Sequence, residues 1–155
     1  MSAARQGFTL LELLLVIAII GIIGGAFAWW MVGSIRRAEV REAAYQLVGD
    51  LRQSRTRAQK TGFSQSVKVQ NGTENYELSA DEGLSSARRV EKGVRVHVIG
   101  NPGSGAMVTY QPPHGTLMAT GTTWEVRSPA FPNVPSLYVK VVGITGKVMV
   151  SASED

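Results

Sequence analysis

The chain has 155 residues and no cysteine, and its 16 lysines and arginines against 12 acidic residues give a formal net charge of +4. This length suits one ordinary domain, because domains usually run to about 100–200 residues. The hydrophobic share of 44% supplies enough apolar surface for a core and argues against disorder. The lack of cysteine excludes a disulfide scaffold, a thiolate zinc site and a cysteine nucleophile.

The first element is a long apolar run. Residues 13–35 are 23 consecutive residues without a charge, and ~20 helical residues cross a ~30 Å hydrocarbon layer. Trp29 and Trp30 lie near its end, where indole rings favour the membrane–water boundary, and Arg36 and Arg37 follow. We therefore predict a membrane-spanning helix rather than a buried core helix. A cleaved secretory signal peptide is the other alternative, but no A-x-A site follows the run.

One carboxylate, Glu12, lies at the start of this apolar segment. An ionised carboxylate inside a bilayer costs several kcal/mol unless it is paired, so Glu12 is a candidate functional residue. The alternative is an acid that reaches the headgroups at the membrane edge.

The segment Gly7-Phe8-Thr9-Leu10-Leu11-Glu12, followed by an apolar helix, closely resembles the class III signal of type IV pilins and type II secretion pseudopilins. The resemblance implies that residues 1–7 are a leader, that a prepilin peptidase cleaves between Gly7 and Phe8, and that the new amine of Phe8 is methylated. It also implies a filament role for Glu12. Its carboxylate would pair with the Phe8 amine of a neighbouring subunit and set the filament register, because each charge is otherwise stranded in an apolar layer.

The second element is an amphipathic stem over residues 36–60. We predict that it continues the apolar helix of residues 8–35 as one rod from about Thr9 to Lys60, ~78 Å long at 1.5 Å per residue, and that Gly62 ends it. Spacings of three and four place six small or apolar residues on one stripe that should pack on a globular head. These are Val40, Ala44, Leu47, Leu51, Ser54 and Ala58.

The third element is a β-rich head over residues 61–155, where the hydrophobic period changes to two. Val67 and Val69 on one side of Asn71-Gly72, and Tyr76 and Leu78 on the other, predict a β-hairpin. The turn from Gly143 to Gly146 should join the last two strands as a second hairpin. Outside the first hairpin, the predicted strands are 94–98, 107–110, 123–126, 137–141 and 147–150, and the last two of these form the second hairpin.

Two motifs in the head resemble those of one particular family of pilin-like proteins. The Tyr110-x-Pro112-x-x-Gly115 element and the terminal strand Gly146-Lys147-Val148-Met149-Val150 are similar to those of the GspH/FimT family. That family implies an α+β, pilin-like fold, with one long N-terminal helix packed on a C-terminal antiparallel β-sheet head. The FimT branch more often carries arginine at the place of Lys147, a second basic residue at the place of Met149, and cysteines.

The positive charge is concentrated on the stem. Residues 36–60 hold seven basic and three acidic side chains, whereas residues 61–155 hold eight of each. At 100° per residue, Arg37, Arg41, Arg52 and Arg55 fall in one sector beside the buried stripe.

Two interpretations of this charge remain open. The first is a stem that packs among neighbouring subunits, with Glu39, Glu42 and Asp50 as intersubunit partners and with Arg36 and Arg37 facing anionic headgroups. The second is contact with DNA phosphates through Arg41, Arg52 and Arg55, assisted by Lys147 or by Arg88 and Arg89 in loops.

Catalysis is not expected. His97 and His114 lack metal-ligand spacing. The alternation around His97 predicts an outward or edge position on a strand, and His114 belongs to a turn. We therefore predict no enzyme activity, no metal and no cofactor.

Two functional hypotheses follow. The first is a minor pseudopilin of the H type in a type II secretion system, a structural subunit at or near the tip of a periplasmic pseudopilus. The second is a FimT-like minor pilin that binds DNA for natural transformation. Both imply a single span in the bacterial inner membrane with a periplasmic head, and as partners a prepilin peptidase, other pilin-like subunits and the inner-membrane assembly platform.

Overall fold

The computed structural model describes residues 9–81, 83–90, 93–100, 105–118 and 120–154. The predicted processing site at Gly7 and Phe8 lies outside these residues. One helix, α1, spans Leu10–Thr61. The chain divides into two compact units, Met1–Ile35 and Arg36–Asp155.

The described part of the first unit is helix with no buried face. Its side chains are exposed throughout residues 9–35 except at Gly33, which is half-buried. The helix is long and apolar enough to cross a membrane, and none of its most apolar stretch is buried. This surface therefore needs either a bilayer or neighbouring helices to cover it.

The second part of α1 lies in the second unit and carries the predicted stripe. All six predicted positions are buried, and the full buried set is Val40, Ala43, Ala44, Leu47, Val48, Leu51, Ser54 and Ala58. The helix ends at Thr61, and Gly62 follows with φ of +76° and donates its N–H to the Ala58 carbonyl at 3.2 Å. The sequence prediction of this helix end is confirmed.

The strands form two antiparallel sheets. One has five strands in the order β3-β2-β1-β5-β6, and the other has four in the order β4-β7-β8-β9. A bridge between Thr73 and Val96 connects the β1–β2 turn to β4. The strands are β1 Gln65–Val69, β2 Asn75–Ala80, β3 Ser85–Arg89, β4 Arg95–Ile99, β5 Met107–Gln111, β6 Thr116–Leu117, β7 Thr122–Arg127, β8 Leu137–Val142 and β9 Lys147–Ser151.

Both predicted hairpins are present. Strands β1 and β2 pair with Val69 opposite Tyr76, and β8 pairs with β9 so that Val142 lies opposite Lys147. Strands β3 and β6 were not predicted. The placement of Arg88 and Arg89 in loops is wrong, because both belong to β3. All five β3 side chains are exposed, so this strand has no apolar alternation, and only its pairing with β2 reveals it.

One hydrophobic core connects the stem to both sheets. Its largest fully buried side chains are Trp124, Tyr76 and Tyr110, together with Leu47 and Leu51 from the stem. The Trp124 indole N–H donates to the Gly105 carbonyl at 2.7 Å. Every buried hydrophobic residue in the described chain lies between positions 40 and 148. The stem is therefore an integral part of the head's core.

Candidate functional site

The first candidate site is the start of α1. The Thr9 hydroxyl accepts a hydrogen bond from the backbone N–H of Glu12 at 3.2 Å, and the Thr9 carbonyl accepts from the N–H of Leu13 at 3.2 Å. Thr9 is therefore the N-cap, and Thr-x-x-Glu is the pattern of a capping box. This role of Thr9 was missed from the sequence, although the four-residue pattern would have revealed it. Glu12 also places negative charge in the first turn, where the helix dipole favours it.

A polar network docks the middle of the stem on the five-stranded sheet. The Tyr76 hydroxyl donates to Asp50 Oδ2 at 2.5 Å and accepts from Gln46 Nε2 at 3.1 Å. Gln46 Nε2 also donates to the Arg89 carbonyl at 2.9 Å. Burial and the neighbouring Asp50 carboxylate raise the pKa of Tyr76 above its ordinary value. Tyr76 therefore stays protonated and remains a donor to Asp50.

A second docking contact unites the elements that carry the resemblance in the head. Gly146 lies so close to its neighbours that an added Cβ would be 2.9 Å from both the Gly115 carbonyl oxygen and Tyr110 Cε1. A Cβ on Gly115 would in turn lie 2.7 Å from Arg55 Cγ. Arg55 Nε donates to the Gly115 carbonyl at 3.2 Å. Tyr110 and Gly115 thus meet Gly146, which is distant in sequence, under the last turns of the stem.

The Tyr110 hydroxyl is buried beside this contact. It has no hydrogen-bond partner among the described residues. Burial raises the pKa of Tyr110 to about 12, although the positive charge of Arg55 opposes the shift. The ring serves as a packing surface for Gly146.

Three cations border a depression of about 490 Å³ beside this contact. We name this depression, bordered by Arg52, Arg55 and Lys147, the basic depression. Arg52 Nη2 lies 3.5 Å from the Val148 carbonyl, and Arg55 is held by Gly115. Among the described residues no carboxylate lines it, and none of the three cations forms an ion pair. It can therefore accept an anionic group.

Arg41 is not part of this site. It lines a separate depression on the stem with Tyr45 and Glu42. Arg41 and Arg52 do share an angular sector, but 11 residues separate them along the helix, or ~16 Å at 1.5 Å per residue. The predicted row of arginines is thus divided between two surfaces.

Two of the acids predicted to meet neighbouring subunits have partners inside the chain. Glu39 forms an ion pair with Arg36 at 2.7 Å, and the Arg36 guanidinium lies 4.9 Å from the Phe131 ring centre. Asp50 accepts the Tyr76 hydroxyl. Glu42 remains exposed.

Arg89 also has an internal partner. Its guanidinium binds Glu74, which accepts in addition the backbone N–H of Gly93 at 3.1 Å. The Arg89 hydrogen bond and the Gly93 N–H hold the pKa of Glu74 below its ordinary value. Arg89 therefore connects β3 to the β1–β2 turn through an ion pair and is not a free phosphate ligand.

The two histidines occupy the predicted surroundings. His97 is half-buried on β4, an edge strand, and burial together with the positive charge of Arg127 lowers its pKa. His114 lies in the turn between β5 and β6, where its carbonyl accepts from Gln59 Nε2 at 2.8 Å. Within the described ranges, no three histidine, aspartate or glutamate side chains are grouped so that they could hold a metal ion.

Comparison with known proteins agrees with this architecture. Residues 2–28 match the family described as the prokaryotic N-terminal methylation motif. No curated protein shows significant sequence similarity to the chain.

Solved structures share the fold. The type IV minor pilin FimU of Pseudomonas aeruginosa, in its P21 crystal form, is 14% identical with a TM-score of 0.58, over 74% of this chain and 90% of its own. Its P65 form is 13% identical with a TM-score of 0.55, over 72% and 91%. The minor pseudopilin EpsH from the type 2 secretion system of Vibrio cholerae is 15% identical with a TM-score of 0.58, over 76% and 99%.

The comparisons support two predictions made from the sequence. The chain carries an N-terminal methylation motif over residues 2–28, and it has a pilin-like fold. Its fold is shared by a pilus subunit and by a secretion subunit.

Proposed function

We propose that this chain is a minor pseudopilin of the H type in a type II secretion system, a structural subunit at or near the tip of a periplasmic pseudopilus. In this role it is processed by a prepilin peptidase, held in the inner membrane by α1, and assembled with other pilin-like subunits. Its work is assembly rather than catalysis.

The observation that carries the proposal is the apolar helix with one carboxylate in its first turn. The large apolar side chains of residues 10–35 are exposed, with Leu10 at 87% and Trp29 at 88%. Such a surface is covered by lipid before assembly and by neighbouring helices afterwards. Among the described residues of this apolar layer, Glu12 is the only acid, and an amine of a neighbouring subunit would neutralise its charge.

The head supports secretion over DNA capture. Residues 61–155 carry no net charge, and Met149 stands where a second basic residue would strengthen phosphate binding. Arg89, one of the candidate DNA ligands, is bound to Glu74.

The test separates the charge of Glu12 from its capping role. Glu12→Gln keeps the side-chain size and the capping-box pattern but removes the charge. Thr9→Ala keeps the charge but removes the N-cap, which lowers the stability of the helix by about 1 kcal/mol. Loss of one partner from a buried ion pair costs about 3–5 kcal/mol. We therefore expect Glu12→Gln to be processed normally but to be nearly absent from the pseudopilus fraction of the periplasm, and Thr9→Ala to be incorporated.

Immunoblots of the membrane and filament fractions measure both outcomes. Gly7→Leu serves as the processing control and should leave an unshifted precursor. Normal incorporation of Glu12→Gln would show that its charge has no role in assembly.

The second candidate function is DNA capture in transformation. The observation that favours it is the grouping of Arg52, Arg55 and Lys147 around one depression. Titration of the mature chain with duplex DNA at low and at about 150 mM salt tests it, because phosphate contacts weaken steeply as salt rises. Salt-dependent binding that an Arg52/Arg55/Lys147 triple glutamine variant loses would favour this function, and no binding at low salt would reject it.

A further inference from the structure

A strained residue lies on the hairpin that carries Lys147. Ile144, in the turn between β8 and β9, has φ of +58°. For a β-branched residue this left-handed conformation is an outlier, since its Cβ crowds the backbone. The Ile144 carbonyl accepts from the Leu117 N–H at 2.9 Å, and the Gly146 N–H donates to the Val142 carbonyl at 3.0 Å. The turn is thus held on both sides.

The strain does not serve the core. The Ile144 side chain is 73% exposed, so glycine or asparagine would fit this backbone without loss of buried surface. Strained residues that bury nothing in the monomer are concentrated at functional sites. The feature that distinguishes isoleucine here is an aliphatic side chain presented outward.

A second aliphatic side chain lies on the adjoining segment. Met118 is 85% exposed and directly follows Leu117, whose N–H binds the Ile144 carbonyl. We name Met118 and Ile144 the apolar knuckle. On the same hairpin, Gly146 and Lys147 line the basic depression, and Gly146 is only two residues from Ile144, so the apolar knuckle and the basic depression adjoin along the chain.

We propose that the apolar knuckle and the basic depression form one docking surface for a partner protein, which inserts an acidic segment bearing apolar side chains. The depression offers three cations and no carboxylate among its described lining residues. A partner's glutamates or aspartates would therefore find charge-assisted donors at Arg52, Arg55 and Lys147. The knuckle would cover the apolar side chains of the same segment.

The composition of the surface favours protein over nucleic acid. DNA affinity at physiological salt grows with the number of phosphates that cations neutralise, and three cations would contribute only a small affinity. Aliphatic side chains gain nothing from a phosphate backbone, whereas apolar anchors beside charged groups are typical of protein interfaces. This surface is independent of the Glu12 role, so either proposal can fail alone.

The charge arm of the test uses the mature full-length chain in nanodiscs of zwitterionic lipid. The probe is the labelled hexapeptide Glu-Glu-Leu-Leu-Glu-Glu, and fluorescence anisotropy measures its binding at low salt. We expect Arg52→Gln combined with Lys147→Gln to weaken binding at least about tenfold, since each removes a charge-assisted hydrogen bond. Lys68→Gln removes a charge from an exposed position on β1 and should change little.

The apolar arm uses Ile144→Asn, because asparagine tolerates the left-handed backbone. Peptide binding should weaken several-fold while the head becomes no less stable, whereas Leu84→Asn, at another exposed apolar residue, should bind as the parent does. A peptide with serines in place of the leucines should be insensitive to Ile144→Asn.

Four outcomes would overturn the proposal. They are no peptide binding at low salt, equal weakening by Lys68→Gln, no effect of Ile144→Asn, and tighter binding of a DNA duplex of the same charge. The last would assign the depression to nucleic acid.

Discussion

Replacement of Gly146 by alanine tests the contact that docks the stem on the head. The substitution has two separable costs. Alanine at φ of +64° loses about 1–2 kcal/mol relative to glycine because its Cβ crowds the backbone. The Cβ also falls 2.9 Å from both the Gly115 carbonyl oxygen and the Tyr110 ring, and overpacking of this kind costs about 1–3 kcal/mol. We expect a total loss of roughly 2–5 kcal/mol, a large part of the 5–15 kcal/mol typical of a domain.

Gly83→Ala is the matched control. Gly83 has a similar φ of +80°, but nothing lies within 4 Å of its added Cβ. Its substitution therefore measures the backbone cost alone, about 1–2 kcal/mol. The difference between the two variants isolates the steric cost.

Urea unfolding of residues 36–155 provides the assay, because every buried hydrophobic residue in the described chain belongs to this unit. Trp124 is the sole tryptophan in that range and is fully buried, so its fluorescence reports unfolding. Equal losses in Gly146→Ala and Gly83→Ala would refute the close packing of Gly146 on Tyr110 and Gly115.

Two further predictions concern polar groups of the head. Tyr76→Phe removes a hydroxyl that binds both Asp50 and Gln46 and should cost about 1–3 kcal/mol in the same urea assay; an unchanged midpoint would contradict this network. The pKa of His97 is lowered by burial and by the positive charges of Arg127 and Arg95, and Glu125 opposes this shift. The unfolded chain therefore binds a proton at His97 more readily than the folded chain. Stability should therefore be complete above the ordinary histidine pKa of about 6.5 and fall as the pH drops below it. Unfolding of His97→Gln across this pH range should show a shallower fall, and an identical slope would contradict the assignment.

The sequence predicted the elements whose signal is local. The stem stripe and both hairpins were correct because the periods of 3.6 and two record which side of each element is buried. The end of α1 was correct because a glycine in the left-handed conformation stops a helix. Strand β3 has no such signal, since none of its side chains is buried. The division of the strands into two sheets likewise depends on pairings between distant segments.

For the candidate functional residues, too, the sequence predicted what is local and the tertiary structure decided the rest. By itself the sequence predicted a pilin-like protein, because the leader pattern, Glu12 and the apolar run are contiguous and their chemistry needs no fold. Only the tertiary structure decided which cations meet. Lys147 reaches Arg52 and Arg55 through the pairing of β8 with β9 and the docking of the stem, whereas Arg41, on the same angular sector, lies at another level of the helix. Angular position along a helix can be derived from spacing, but neighbours across a core depend on the register and packing of the whole head.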